Sequence, residues 1–593
     1  MRPTTQSIHI SRRPLPLSNA QIRDFFCPRQ FSHKPPKLIL VSHRASLRPQ
    51  LPFLPSSNSY RSNVQLSRLF SISAANKKFL REYYRETIRW TGILGVVWVS
   101  FTVAGYAILT ERQERAFPSP HEWGFITRWR FRRGKWYQVP ENNELEGFTN
   151  WARVWWEMKN TLVRLEDPEI DGAGIKEQDE EEGGLMVPGV GKAGYDLTAK
   201  SEEWRQGYWE VLMGMAEASE NLEGWVTTES RKFIWSPIYV PSPSNPDPPE
   251  PLPGGLPAPP EEERLPAGGQ PPEDYYMKIL TSNGFTTSQR LRAALDCADW
   301  FSFKELTDSA EEMYRWALDI AISGLSTPDP TIVLNPKTGV LASSPEASAH
   351  LTPNIVLAVT ELATFHAQHN NTTAALPILI SLLRARLSAP EAPETIPAPQ
   401  PSPSMISQFI DLLIEPTYPP LPPTGDDPFL RKDTQRCEEA ALKSYIGEIL
   451  FATANATARS RRGAPADQTP GLSWVRDAVS TSKQAQSIPA VEADSSIRKH
   501  CETCEEIGLE AWGKILTYLV ASARDDIAAV KRGWGPSALA YKYYWGLDQL
   551  EQKAEDLAEE EIGVTMRLHK LRMKVYGELL REQDRKHART FVF

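Results

Sequence analysis

Three patterns in this 593-residue chain have residue types and spacings that could do chemistry, and each lacks a part. Gly189, Gly191 and Gly194 fit GxGxxG, the loop that lets a pyrophosphate approach the backbone where a helix begins. They follow the acidic loop EQDEEEGGLMVP instead of a strand, and no βαβ unit surrounds them, so the segment reads as a flexible turn. As a phosphate loop it has Met186 in the first glycine position and Ala193 where Ser or Thr should follow the lysine. Cys501 and Cys504 form a CxxC, but a zinc site needs four ligands and no second pair completes it. The five cysteines are also too few and too scattered for a disulfide framework, so the pair reads as two helix-face residues. The acidic run 179–182 reads as a solvated loop. The histidines are not spaced with carboxylates as metal ligands are, and no GxSxG nucleophile elbow occurs. The expectation is a protein that is not an enzyme, with no catalytic residue, no cofactor and no metal.

The helices carry a repeat grammar instead. In a tetratricopeptide hairpin a small residue at position 8 of the first helix lets the second approach, and the second carries a small residue at 20, a large one at 24 and a contact at 27. Ala298, Ala310, Tyr314 and Ala317 match, with Cys297 and Phe301 in the flanking apolar positions. A second match in the same register runs through Leu362, Ala363 and His366, then Ala375, Leu379 and Leu382, turning at 369–372. Weaker echoes are Ile446-Gly447 with Leu450, whose partner helix at Trp474 and Ala478 follows an inserted loop, and Trp512-Gly513 with Leu516. In stacked repeats positions 2, 5, 9 and 12 of each first helix face a concave groove. They are Arg292, Leu295, Asp299 and Ser302, then Leu357, Thr360, Thr364 and Ala367. The weaker repeats supply Ser444, Glu448 and Phe451, and Glu510 and Lys514. This mixed lining suits extended or partly unfolded chains held by many small contacts.

Helical periodicity marks the elements that must hold these residues: 145–165, 201–222, 287–325, 350–387, 437–454, 473–484, 496–523 and 538–585. Strand-like alternation is nearly absent, and only 233–240 is a plausible extended piece. The predicted class is all-α: a single N-terminal transmembrane helix, then degenerate tetratricopeptide-like hairpins forming an α-solenoid with proline-rich linkers. One linker is 241–272 and the other 389–430, the latter interrupted by the apolar MISQFIDLLI around Ile410, which would form a short docking helix. They divide the body into a helical region at 141–240, repeats at 273–388, and repeats with a C-terminal capping helix at 431–593.

The N-terminus reads as an address and an anchor. Residues 1–81 hold fourteen Lys and Arg against one acid, Asp24, without the early apolar core of a secretory signal, so 1–70 reads as a mitochondrial presequence. Arg68-Leu69-Phe70-Ser71 resembles a matrix-peptidase site. Residues 71–89 would stay in the matrix, and 90–110 contain no charge over 21 residues, long enough at about 1.5 Å per residue for a hydrocarbon core of roughly 30 Å. Ser100 and Ala104 make a small-xxx-small pair within that span. The basic and aromatic segment 111–140, with Arg128, Arg130, Arg132, Arg133 and Lys135, would lie on anionic headgroups. The whole chain carries a formal charge of -8, and removing residues 1–81 leaves 52 basic against 73 acidic residues, so the expectation is no nucleic-acid partner.

The run PPEDYYMKILTSNGFTTSQRLRAALDCADWFSFKELTDSAEEMYRWALDIA, with the span, FPSPHEWGFITRWRFR and GLSWVRDAV, resembles fungal tetratricopeptide proteins of the mitochondrial inner membrane that are similar to the adaptor subunit of the i-AAA protease. The resemblance implies a non-enzymatic, membrane-anchored adaptor in protein quality control. It would bind unfolded polypeptides in the intermembrane space and present them to the i-AAA protease complex. The repeats depart from the pattern, since Ala294 occupies the usual Trp position. The rival reading is a tetratricopeptide scaffold that assembles a respiratory or import complex.

Overall fold

Small residues at helix crossings decide which helices pair, and the computed structural model shows where they fall. It describes residues 73–143, 149–178, 186–187, 191–192, 194–228, 233–243, 245–249, 258–393, 418–460, 469–532 and 546–590. The leader 1–70, the acidic run 179–182 and the stretch around Ile410 lie outside these residues. The class is all-α, and every strand among the described residues is two residues long.

Helix α1 spans Ala74–Ala116. Its apolar stretch reaches a mean hydropathy of 1.9 with none of it buried, and among the described residues it is the one helix long and apolar enough to cross a membrane. Trp90, Trp98, Phe101 and Ile108 all stand open, which water disfavours and lipid does not. The chain divides into two units, Met1–Ser100 and Phe101–Phe593.

Within the second unit, the end of α1 is fixed by buried charge. Glu114 pairs with Arg132 at 2.7 Å and with Arg128 at 3.2 Å, and it also accepts from the Ser119 amide and hydroxyl. Arg132 further donates to the Thr110 carbonyl at 3.2 Å. These arginines belong to α2 (Phe125–Gln138), which packs on α3 (Trp151–Glu166), and α3 packs on α4 (Glu202–Asn221). Trp123, Phe131, Met158, Trp204 and Tyr208 fill the space between them. Arg130 and Arg133 reach Glu157, and Lys135 reaches Glu210. Three carboxylates, Glu114, Glu157 and Glu210, thus serve the five cations Arg128, Arg130, Arg132, Arg133 and Lys135 of the basic segment.

Helices α5 (Pro272–Thr281), α6 (Thr287–Phe303) and α7 (Thr307–Ser323) follow, then a single turn α8 (Pro345–His350) and the pair α9 (Pro353–Gln368) and α10 (Thr372–Ser388). The α6–α7 and α9–α10 hairpins form where the repeat grammar placed them. Ala298, Ala310, Ala317, Ala363 and Ala375 are fully buried at the crossings. Asn370 makes the second turn at a φ of 61°, a conformation its short polar side chain tolerates. Helix α7 packs on α9, and α10 on α11 (Arg436–Ser460), so one hydrophobic core runs from Trp123 to Ile449. Helix α11 pairs with α12 (Thr469–Gln486) at Gly447, where a Cβ would sit 2.5 Å from Val475 and 2.8 Å from the Gly471 carbonyl. The short α13 (Pro489–Ala493) leads into α14 (Ser495–Arg532), which packs on α12 and α11 and carries α15 (Leu547–Thr590) along its length.

Two expectations change. Parts of both proline-rich linkers are docked: the Gly268 carbonyl accepts from Trp155 Nε1 at 2.7 Å and from Ser219, and Ala267 is fully buried. Three short strands, Val226–Thr227, Ile234–Trp235 and Leu265–Pro266, pair antiparallel across this region. At the second linker, Gly425 has a φ of 74° and lies against the buried Asn354, which donates to the Thr424 carbonyl and Asp426, while Phe429 is buried. Proline forbids regular structure in these segments without forbidding packing. The second correction concerns the CxxC. Cys501 is disulfide-bonded to Cys437, 64 residues away at the start of α11, and Cys504 is a buried free thiol. The helices, not the local spacing, choose the partner.

Two stability measurements follow. Gly447→Ala forces a methyl into the α11–α12 crossing and is expected to cost about 1–3 kcal/mol in a denaturant melt. Cys437→Ser releases a 64-residue loop and should cost roughly 3–4 kcal/mol, an effect that reductant reproduces in the unsubstituted protein.

Candidate functional site

Two neighbouring helices each place a pair of acids three residues apart on one face. Glu217 and Glu220 come from α4, Asp296 and Asp299 from α6. With Met213, Asn221, Tyr276, Arg292, Trp300 and Phe303 they line a cleft of about 530 Å³. Helices α4 and α6 are joined outside the cleft lining, where Gln289 donates to Gln206 at 2.6 Å and Trp209 donates to the Gln289 carbonyl at 3.1 Å. A capping box of Thr286 and Gln289 starts α6 at the position that brings its acids to the cleft. Trp300 is buried, with Nε1 donating to Glu273 at 3.1 Å, whereas Phe303 is 76% exposed at the rim.

Burial without enough counter-charge raises three of these carboxyls, Glu217, Glu220 and Asp296. Desolvation pushes Glu220 up to about 7, opposed by the hydrogen bond from Tyr276 at 2.7 Å and reinforced by Asp296, Glu217 and Asp299. Burial likewise raises Glu217 and Asp296, against Lys135 for the first and Arg292 for the second. The acidic row continues onto α9 and α11. Glu361 is raised by burial and then by Asp299, and Glu448 is raised by burial against Lys514. Tyr445 feels both Glu448 and Glu361, which connects the two stretches. Asp299 also accepts the Tyr314 hydroxyl. Among the described residues no three acids, histidines or cysteines sit close enough to hold a metal ion. An extended row of half-desolvated carboxylates beside aromatic rings instead suits several separate cationic side chains on one strand of polypeptide.

The expected lining is partly displaced. Arg292 and Asp299 reach the cleft, but Leu295 is 3% exposed and belongs to the core. On α6 the open positions are 292, 296, 299 and 303, so Asp296 and Phe303 stand where Leu295 and the half-buried Ser302 were expected. Leu357, Thr360, Thr364 and Ala367 are half-buried on α9, and the two threonine hydroxyls donate to the carbonyls of Val356 and Thr360. Ser444 is fully buried, a correction, and Glu448 with the exposed Tyr445 takes that face of α11. Phe451 packs with the second core and meets Tyr518 edge-on at 5.6 Å. Glu510 is bonded to Lys514 at 2.8 Å and to Arg572 of α15 at 3.0 Å, so this pair lies at a helix seam. Repeat spacing missed Glu217, Glu220, Asp296, Trp300, Phe303 and Glu361. Like-charged pairs three apart on one helix face disfavour the helix, and that spacing was the available signal.

In comparisons with protein-family models, curated proteins and solved structures, the chain matched none.

The raised carboxyls set a pH dependence. Glu220 holds a proton in the folded state between its ordinary 4.5 and about 7, so its contribution to stability is present at acidic pH and is lost as pH rises through that window. A bound cation favours the ionised form, so an Arg/Lys-rich unfolded peptide should bind more tightly at pH 8 than at pH 6. Glu220→Gln with Asp296→Asn should weaken that binding at pH 8 by about tenfold and flatten the pH profile, read by fluorescence anisotropy.

Proposed function

We propose that the protein is a single-span adaptor of the mitochondrial inner membrane, with its N-terminus in the matrix and its helical body in the intermembrane space. The body is a degenerate tetratricopeptide-like solenoid. It holds unfolded or misfolded polypeptide in the acidic cleft and presents it to the i-AAA protease. The observation that carries the reading is the row of under-compensated carboxylates beside exposed Phe303.

Three further features support it. The fully open apolar helix α1 supplies an anchor of sufficient length. The Cys437–Cys501 disulfide fits a compartment where thiols oxidise, which favours the intermembrane space over a reducing matrix. The cleft is open and its cations are few, so each contact is weak and cargo can leave; a shared membrane raises the effective concentration of adaptor and protease enough for modest contacts to serve.

Purification of the full chain from mildly solubilised mitochondrial membranes is expected to bring an AAA+ protease in stoichiometric amount. Recovery of a respiratory or translocase subunit in its place would favour the assembly scaffold. Deleting residues 90–110 should abolish degradation of membrane-bound substrate while leaving the body's circular dichroism and melting unchanged; a soluble body that restores degradation would refute tethering.

A further inference from the structure

Helix α15 has two apolar faces, and among the described residues only one is covered. Val564, Leu557, Leu568 and Leu571 pack against Leu509, Ile515 and Leu516. Arg567 to Glu505 and Lys574 to Glu502 fasten the same side. On the other side Ile562, Met566, Met573, Tyr576 and Leu580 are between 45% and 63% exposed, and with the exposed His569 they recur at alternating steps of four and three residues. That spacing is the seam of a two-stranded coiled coil. Gly563 and Gly577 flank it two heptads apart, and a Cβ on either would meet no atom within 4 Å. Glycine inside a helix costs about 1 kcal/mol relative to alanine, and here nothing among the described residues uses the space it leaves.

We propose that this face is a dimer interface, occupied by α15 of a second copy running antiparallel. The seam is self-complementary about Leu571, as a two-fold contact requires. Reversed on itself, it sets Ile562 opposite Leu580, Met566 opposite Tyr576 and His569 opposite Met573, and it brings Gly563 near Gly577 of the other copy. Methionine against tyrosine is a favourable sulfur–aromatic pairing, made twice by symmetry. Charge selects the direction. Residues 551–561 carry Glu551, Glu555, Asp556, Glu559, Glu560 and Glu561 with one lysine, whereas 581–590 hold more basic than acidic residues. A parallel pair would stack each end on its like, and an antiparallel pair opposes them. Lys570 approaches its own copy near the axis, on the solvent rim, where added salt screens the repulsion.

The test uses the full chain in detergent micelles. Sedimentation is expected to show two chains per particle. Oxidising an equal mixture of Ile562→Cys and Leu580→Cys chains should give a cross-linked dimer that neither variant gives alone. Met566→Glu with Met573→Glu, both at exposed positions, should raise the dimer dissociation constant at least about hundredfold with helical content unchanged. A single-chain mass at micromolar protein, cross-linking of each cysteine variant with itself, or a dimer that survives the double glutamate variant would each overturn the proposal.

Discussion

Close approach of paired helices at alanine and glycine is the constraint on which the rest of the body depends. Ala298 against Ala310 and Ala317, Ala363 against Ala375, and Gly447 against Gly471 let backbones come together where larger side chains would hold them apart. Because α4 packs on α6 and α6 on α9, the faces of these three helices are drawn close. Carboxylates that would be ordinary on an isolated helix become half-desolvated there, and Glu220 moves to about 7 for that reason. The electrostatics of the cleft follow from the packing of the hairpins.

The same logic fixes the end of α1 within the second unit. Glu114 is 5% exposed, and its burial is tolerable because Arg128, Arg132 and Ser119 satisfy it. Arg132 is equally buried, and desolvation lowers its pKa against the pull of Glu114. Losing one partner would leave an unpaired charge in a dry place, so the end of α1 from Thr110 onward is held to α2 by a contact that is expensive to break.

Much of this was legible in the residues. The uncharged run 90–110 appears within a continuous helix, and the spacing of Ala298, Ala310 and Ala317 located a real hairpin, because helix packing imposes a local rule on residue size. The lining was harder to read. A shift of one residue turns a helical side chain by about 100°, so a repeat register good enough to find α6 still exchanged Leu295 for Asp296 and Ser302 for Phe303. Ser444 was lost to the core in the same way. The Cys437–Cys501 bond could not be read at all, since 64 residues and the paths of α11 and α14 separate its halves. The docking of both proline-rich segments depends on partners such as Trp155 and Asn354 that lie far away in the chain.

The central claim is that the acidic cleft receives polypeptide cargo beside the membrane. A photoreactive phenylalanine analogue at position 303, activated in intact mitochondria with the outer membrane opened, tests it at the rim of the cleft. The account predicts a ladder of adducts with many proteins, their cross-linked segments rich in Lys and Arg and drawn from unfolded chains. A single adduct with one folded complex subunit, or labelling only from the matrix side, would contradict it.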